Sequence, residues 1–352
     1  MKAFLFISVA ATMAALAADQ PKFATPRAGR KFVFPRDHGS HPDFKIEWWY
    51  VTGHLLASDG RRFGWQATFF RRAGEQAETL YLGHVALLDV KTGRFLHQER
   101  LAREGWDAGA ATESLDVHCG PCSLSMSDKK TERMQVAGSI RGEASFDLSL
   151  TPRKPLVVFG ENGVSRKGAA PSAASHYLTF PRLAATGTLT LGSEQITVTG
   201  EAWMDHEISS SQLDEGQVGW DWACIQLRDG REAMVYRMRR RDGTADPFST
   251  LALIDTTGVV THTSEFRLTP LATWRSPHSG AEYPSGLELS APAQHIRWRL
   301  EPLAGDQELQ GRITGIAYWE GACRLLDEHG SEIGSAFIEL AGYSGDLNSR
   351  LR

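Results

Sequence analysis

The densest group of residues that could carry chemistry lies in two short segments near the middle of the chain. Residues 203–207 read Trp-Met-Asp-His-Glu, and residues 220–222 read Trp-Asp-Trp. Ionisable side chains beside large aromatic rings are poorly solvated, and this raises the pKa of a carboxyl group. A carboxyl that keeps its proton near neutral pH can act as a general acid. The candidate catalytic residues are therefore Asp205, His206 and Asp221.

The same residues also have a structural interpretation. Successive side chains of a β-strand point to opposite faces, so Trp203 and Asp205 share one face while His206 lies on the other. Likewise, the two tryptophans of the second segment face away from Asp221. A buried hydrogen-bond network that joins two domains would use the same residue types, and the sequence leaves the two interpretations open.

A loop near the N-terminus contains two histidines with acidic neighbours. Residues 37–42 read Asp-His-Gly-Ser-His-Pro and precede Glu47. Such a pair could bind a metal ion, but a Gly/Ser/Pro loop lacks the fixed geometry of a helix or strand scaffold. The loop is better explained as a cap over one end of a barrel. We therefore predict no metal ion and no cofactor.

Several aromatic and histidine side chains could line a ligand cavity. Trp48 and Trp49 are adjacent in a predicted strand, so one of them faces the interior. His84 is the single histidine of an apolar strand, where it is either a hydrogen-bonded core residue or a group that faces a ligand. The predicted ligand-binding residues are Trp48, Trp49, His84, Tyr177, Trp203, Trp220 and Trp222.

The four cysteines do not indicate redox catalysis. Cys119 and Cys122 have the spacing of a thioredoxin motif, but their flanks are β-like rather than the start of a helix. A local disulfide in an oxidising compartment explains the pair better. Cys224 and Cys323 lie in apolar runs and are predicted to be small buried hydrophobic residues.

The elements that must position these residues are short β-strands. From residue 47 onward, runs rich in Val, Ile, Thr and aromatic residues alternate with turn pairs such as Asp59-Gly60 and Asp229-Gly230. No segment keeps an amphipathic helix pattern for three turns. So many strands require closed barrels or sandwiches rather than one open sheet. The sequence therefore predicts an all-β protein.

One internal similarity suggests that the chain is divided into two domains. A hairpin that begins at Trp48 and turns at Asp59 resembles one that begins at Trp220 and turns at Asp229. Two related domains would explain the similarity, although strand chemistry alone could produce it. We place the boundary in the polar stretch 209–217, which gives an N-terminal domain of residues 26–212 and a C-terminal domain of residues 213–352.

Composition and the N-terminus limit the partners. The 352 residues are 41% hydrophobic and 23% charged, with a formal net charge of -4, so nothing attracts the chain to nucleic acid. Residues 1–17 have the charged, apolar and small-residue regions of a signal peptide, with cleavage expected after Ala17. We therefore expect the mature protein in the periplasm or outside the cell.

These segments together resemble a known family. The sequence is similar to the AttH-type proteins, which are related to the carotenoid 1,2-hydratases (hydroxyneurosporene synthases), from about residue 34 to residue 343. This resemblance implies two lipocalin-like (calycin-type) antiparallel β-barrel domains. The segments that carry it are residues 47–53, 64–66, 69–71, 84, 177–180, 203–207, 219–222, 307–308 and 318–321.

The resemblance leaves three functional hypotheses. The first is an exported protein that binds a hydrophobic lipid- or isoprenoid-like molecule in a barrel cavity. The second is a hydratase or isomerase, a hydro-lyase that acts on an isoprenoid double bond by general-acid catalysis at Asp205, His206 and Asp221. The third is a non-catalytic adaptor that associates with envelope transport machinery.

Overall fold

Antiparallel β-sheet makes up nearly all of the protein in the computed structural model, which describes residues 23–74, 78–211 and 213–348. The predicted signal peptide of residues 1–17 lies outside the described residues. Within the described part of the chain, no helix is both long enough and apolar enough to cross a membrane. Two single 3₁₀ turns, Arg36–His38 and Pro292–Gln294, occur in the described part of the chain.

The first sheet is formed by the N-terminal half of the chain. Its strands are β1 (Ile46–Ala57), β2 (Arg62–Ala73), β3 (Thr79–Asp89), β4 (Arg94–Arg103), β5 (Ala108–Ala110), β6 (Asp116–Cys119), β7 (Cys122–Asp128), β8 (Arg133–Ile140), β9 (Ala144–Pro152), β10 (Val157–Phe159), β11 (Ser165–Arg166), β12 (Ala174–Leu191) and β13 (Glu194–Ser211). Their spatial order is β4-β3-β2-β1-β13-β12-β9-β8-β7-β6-β5, and β10 and β11 also pair with β12.

The second sheet is formed by the C-terminal part. The remaining strands are β14 (Gln217–Leu227), β15 (Glu232–Arg240), β16 (Thr250–Ile254), β17 (Val260–Thr263), β18 (Arg267–Pro270), β19 (Thr273–Arg275), β20 (Glu282–Pro284), β21 (Leu287–Ala291), β22 (Ile296–Pro302), β23 (Glu308–Gln310), β24 (Ala317–Leu326) and β25 (Glu332–Ala341). The order is β17-β16-β15-β14-β25-β24-β22-β21-β18, with β23 on β24, while β19 and β20 form a separate pair.

Both sheets curl in the same way, because the first strand of each pairs with its last. β1 lies between β2 and β13, and β14 lies between β15 and β25. The two similar hairpins of the sequence, β1–β2 and β14–β15, therefore hold equivalent positions. Each curled sheet encloses its own buried hydrophobic cluster, which includes Trp49 and Trp65 in the first and Trp319 and Tyr283 in the second. The prediction of an all-β protein with two barrel-like sheets is confirmed.

A third hydrophobic cluster joins the two sheets, and we call it the seam. Its members alternate along the strands with the residues that fill each barrel, as the period of two requires. The first sheet contributes Tyr50, Tyr177 and Trp203, and the second contributes Trp222, Tyr318 and Phe337. Large aromatic side chains from both halves are thus buried against each other.

The predicted disulfide between Cys119 and Cys122 is wrong, because both are free thiols. They face each other across the turn between β6 and β7, but their sulfur atoms point to different carbonyl groups. The Cys119 Sγ lies 3.8 Å from the Tyr81 oxygen, and the Cys122 Sγ lies 3.9 Å from the Ser139 oxygen. Cys224 and Cys323 are buried, as predicted.

Candidate functional site in the seam between the barrels

Strand β13 divides the predicted site residues between two environments. Trp203 and Asp205 face the seam, whereas His206 points into the first barrel beside Trp49. This alternation agrees with the predicted faces of the strand. It also means that Asp205 and His206 do not act on the same molecule from one side.

Asp205 is buried and accepts three hydrogen bonds. The Tyr177 hydroxyl donates to Oδ2 at 2.7 Å, while the Thr179 hydroxyl and the Trp203 indole N–H donate to Oδ1 at 2.6 and 2.7 Å. The indole of Trp222 in turn donates to the Tyr177 oxygen at 2.9 Å. Since Trp222 belongs to the second sheet, this chain of hydrogen bonds crosses the seam.

Burial and hydrogen bonding act on Asp205 in opposite directions. Burial disfavours the carboxylate and raises the pKa, the nearby Glu207 charge adds to this, and the three donors oppose it. The net effect raises the pKa of Asp205 to about 7. Asp205 can therefore release or take up a proton near neutral pH, as a general acid or base must.

Glu320 on β24 is a second buried carboxyl in the seam, and no salt bridge to it is formed among the described residues. The Tyr50 hydroxyl donates to its Oε1, and its Oε2 has no hydrogen-bond partner in the described part of the protein. Burial, together with the neighbouring Glu339 on β25, raises the pKa of Glu320 well above its usual value. Burial and the neighbouring carboxyl therefore favour the protonated form of Glu320.

Aromatic rings surround these two carboxyls. Trp222 makes edge-to-face contacts with Tyr50 at 5.2 Å and with Trp203 at 6.4 Å between ring centroids. Tyr50 lies directly opposite Asp205 across β1 and β13, and its hydroxyl reaches Glu320. The two carboxyls thus share one aromatic environment that links the two barrels.

His84 also faces the seam, next to Tyr318. Its Nδ1 lies 2.6 Å from the Tyr318 oxygen, and its Nε2 lies 3.4 Å from a carboxylate oxygen of Glu99. Trp48 and Trp220 are half-buried and pack against the same cluster. The seam therefore gathers most of the predicted ligand-binding residues, namely Trp48, His84, Tyr177, Trp203, Trp220 and Trp222, but not Trp49.

Asp221 does not belong to this group, because its side chain points to the opposite face of β14. Arg237 donates to it through Nε at 2.7 Å, Arg239 lies 3.0 Å away, and the Tyr343 hydroxyl donates at 2.9 Å. The Asp221 carboxyl is thus one member of a buried cluster with two guanidinium groups. The tryptophans that flank Asp221 in the sequence therefore do not surround its carboxyl, and a catalytic role for Asp221 stays a prediction.

His206 belongs to a separate polar cluster at one end of the first barrel. Its Nε2 lies 2.9 Å from Glu47 Oε1, and Trp49 stacks on its ring at a centroid distance of 4.8 Å. Burial lowers the pKa of His206 to about 4, against the raising effect of Glu47. His206 is thus neutral and is separated from the seam by the sheet itself.

Cavities border the seam in the described part of the protein. One of about 200 Å³ is bordered by Phe95 and His97 of β4 and by Gln310 of β23, the strand that pairs with β24. A much smaller one of about 10 Å³ is bordered by Trp203, Cys224 and other residues of both sheets. The latter has room for about one water molecule.

The pair of large curled antiparallel sheets matches the lipocalin-like hydratase folds. The sequence profile of the AttH-like family matches residues 25–343, and the chain belongs to that family. The family recognised in the sequence is thereby confirmed. No curated protein matches the chain at a significant level.

Three solved structures are similar to this one. An AttH protein from Nitrosomonas europaea is 36% identical, with a TM-score of 0.84, covering 91% of this chain and 100% of that one. Kievitone hydratase from Nectria haematococca is 14% identical, with a TM-score of 0.70, covering 92% and 99%. CghA, solved with Sch210972, is 13% identical, with a TM-score of 0.53, covering 92% and 97%. The last two similarities concern the fold.

Sequence reasoning missed Glu320 and Thr179. Both lie in segments that carry the family resemblance, residues 318–321 and 177–180, so their position in the sequence was noted while their role was not. A carboxyl in the apolar strand Ala317–Leu326 is a signal of the same kind as Asp205. The same criterion, an acidic residue in an apolar strand, selects Glu320 from the sequence.

Proposed function

We propose that this protein binds an unsaturated hydrophobic small molecule in the seam and adds water to, or removes water from, one of its double bonds. Glu320 is the general acid and Asp205 is the general base in this proposal. The observation that carries it is the buried Glu320, whose Oε2 has no partner among the described residues and whose pKa is raised by burial. In this proposal the unpartnered oxygen of Glu320 faces the bound substrate, which supplies the missing hydrogen-bond partner.

The proton balance of the reaction is simple. The Glu320 O–H bond breaks as its proton adds to one alkene carbon, which leaves a positive charge on the other carbon. The oxygen of a water molecule bonds to that carbon, and Asp205 accepts the proton that the water loses. Return of this proton from Asp205 to Glu320 completes the cycle, and the reverse sequence is dehydration.

The aromatic surroundings suit a cationic intermediate. Trp203, Trp222 and Tyr50 border the region between the two carboxyls, and the faces of aromatic rings attract positive charge. The small cavity beside Trp203 has room for the attacking water. The larger cavity between β4 and β23 is the proposed entrance for the substrate.

We place the binding site in the seam because both cavities described above border it. Buried hydrophobic side chains such as Trp65 and Phe146 fill the first barrel, and Trp319 and Leu300 fill the second. We therefore revise the sequence-based hypothesis of a ligand inside a barrel. The name of kievitone hydratase, a protein of the same fold, adds support for hydration chemistry of a small molecule.

Deuterium incorporation tests the proposed chemistry without a known substrate. Linear isoprenoid polyenes with a terminal trisubstituted double bond serve as probes in D₂O, and mass spectrometry measures deuterium gain and water addition. Wild type is expected to label or hydrate at least one probe, and Glu320→Gln to lower the rate about 10²- to 10⁴-fold. Asp246→Asn, a buried carboxyl paired with Arg240 outside the seam, is the matched control.

Native mass spectrometry of the purified protein separates catalysis from simple binding. If wild type and Glu320→Gln retain the same unaltered hydrophobic molecule and neither alters any probe, the protein is a binding protein. If no small molecule is bound or altered, the result favours the hypothesis of a non-catalytic adaptor that associates with envelope transport machinery. Either outcome contradicts the proposed reaction.

Export is a further part of the proposed function. Residues 1–17 have the features of a signal peptide, and we propose that the protein acts in the periplasm or outside the cell. N-terminal sequencing of the protein recovered from a periplasmic fraction is expected to begin at Ala18. A full-length chain confined to the cytoplasm would contradict export.

A further inference from the structure

We propose that His41, Glu47 and His206 bind a divalent transition-metal ion of the zinc type at one end of the first barrel. This site is distinct from the seam, because His206 and Asp205 point to opposite faces of β13. The sequence predicted no metal ion, since the loop that contains His41 lacks a rigid scaffold of its own. In the folded protein that loop is held by hydrogen bonds to β1.

The three side chains converge on one point. Glu47 Oε1 lies 2.7 Å from His41 Nδ1 and 2.9 Å from His206 Nε2. One ligand atom from each residue can be chosen so that all lie within 4.8 Å of one another. In tetrahedral zinc sites the ligand atoms are about 3.3 Å apart, given bonds of about 2.0–2.2 Å. Small side-chain movements would therefore bring the three atoms to bonding distance.

The hydrogen bonds of His41 favour an ion at this point. Its Nε2 lies 3.0 Å from Asp37 Oδ1, so each ring nitrogen faces a carboxylate. A metal ion on Nδ1 leaves the proton on Nε2, where it donates to Asp37. This is the carboxylate–histidine–metal arrangement in which an outer carboxylate orients the ligand.

The surroundings hold Glu47 in the orientation that a ligand needs. The backbone N–H of His41 donates to Glu47 Oε2 at 2.8 Å, and the Ser40 hydroxyl donates to the same atom at 3.2 Å. Its other oxygen, Oε1, is left facing the two histidines. Glu47 and His206 are buried, and the His41 side chain is only 9% exposed.

The donor set indicates the class of ion. Two imidazole nitrogens and one carboxylate oxygen suit zinc and its neighbours in the first transition series, whereas magnesium and calcium prefer oxygen ligands alone. Such an ion would tie the loop of residues 37–42 to β1 and β13, so its removal should loosen that end of the barrel.

Metal binding to tag-free, full-length protein tests the site directly. Zn²⁺ affinity is measured by competition with a chromophoric chelator, the visible spectrum of the Co²⁺ form reports the ligands, and thermal unfolding reports stabilisation. We expect one ion per chain, a higher Tm with Zn²⁺, and a Co²⁺ spectrum without thiolate bands. His41→Ala should weaken Zn²⁺ binding at least 100-fold, and Asp37→Asn about 10- to 100-fold.

Two controls keep the test decisive if a variant folds poorly. His176→Gln alters a comparably buried histidine that bonds to the Gly163 carbonyl, and it should bind Zn²⁺ as tightly as wild type. The double variant Cys119→Ser, Cys122→Ser should also retain binding. Absence of Zn²⁺ binding by the wild type, or equal affinity in folded His41→Ala, would overturn the proposal and identify the cluster as a hydrogen-bond network that holds the loop on the barrel.

Discussion

At the scale of single residues, two aspartates with similar sequence surroundings have different chemistry. Asp205 and Asp221 both lie among tryptophans in the sequence, yet only Asp205 is buried without a cation. Asp221 meets Arg237 and Arg239, which its own sequence segment does not reveal. Residue type and neighbours in sequence therefore predict which acids are buried, but partners from other strands decide which of them keep a proton.

The first prediction concerns the pH dependence of stability. The pKa of Asp205 is raised from 3.8 to about 7 in the folded protein. Between these two pH values, Asp205 is protonated in the folded state and ionised in the unfolded chain. Its contribution to the free energy of unfolding therefore falls as pH rises from about 4 to about 7. Urea unfolding at pH 5 and pH 7.5 should show a smaller difference for Asp205→Asn than for wild type. An unchanged difference would contradict the raised pKa.

The second prediction concerns Asp221 as an ion-paired carboxylate. Asp221→Asn leaves Arg237 and Arg239 largely buried beside a neutral group, and loss of one partner of a buried pair typically costs about 3–5 kcal/mol. We expect a large decrease in the free energy of unfolding, measured by chemical denaturation. A stable Asp221→Asn protein that has lost only its activity would instead support the original catalytic assignment.

At the scale of elements, the period of two along each strand could be predicted, and it correctly separates Asp205 from His206. The pairing of strands could not, because register depends on contacts between distant segments. The two strands β12 and β13 are 18 residues long, and their register brings Tyr177 and Thr179 onto the same face as Asp205. The local sequence pattern therefore predicts which face of a strand each side chain occupies. The pairing of β12 with β13 then brings the side chains of the site together.

The third prediction tests the close pairing of β1 with β13. A Cβ atom at Gly200 would lie 1.9 Å from the His54 carbonyl oxygen, so a side chain there must push the two strands apart. Gly200→Ala should lower the free energy of unfolding by about 1–3 kcal/mol. Thr197→Ala, at an exposed position of the same strand, should change it by less than about 0.5 kcal/mol. Equal effects of the two variants would show that this close approach does not matter.

At the scale of the whole molecule, the seam brings side chains of both barrels together in one candidate functional site. Tyr50 and Glu320 are 270 positions apart in the sequence, and their contact exists because the outer faces of both sheets pack together. The family resemblance predicts the two barrels, but the packing between them depends on tertiary contacts that no local pattern contains. That is why Glu320 was not among the residues selected from the sequence.

The fourth prediction tests this packing. A Cβ atom at Gly64 on β2 would lie 2.5 Å from the Cβ of Ala322 on β24, so the missing side chain lets the two sheets approach. Gly64→Ala should lower the Tm, and adding Ala322→Gly should recover part of the loss, because the two positions share one contact. Strictly additive effects of the two substitutions would argue that the sheets do not meet at this point.

The proton on Glu320 is the central claim, and infrared spectroscopy measures it directly. A protonated carboxyl has a C=O stretching band that an ionised carboxylate lacks. At pH 7 the wild-type protein should show such a band from a buried carboxylic acid, and the difference spectrum against Glu320→Gln should contain it. Burial and the neighbouring Glu339 favour this acid, since both raise the pKa of Glu320. A difference spectrum with only the bands of an ionised carboxylate at pH 7 would contradict the proposed general acid.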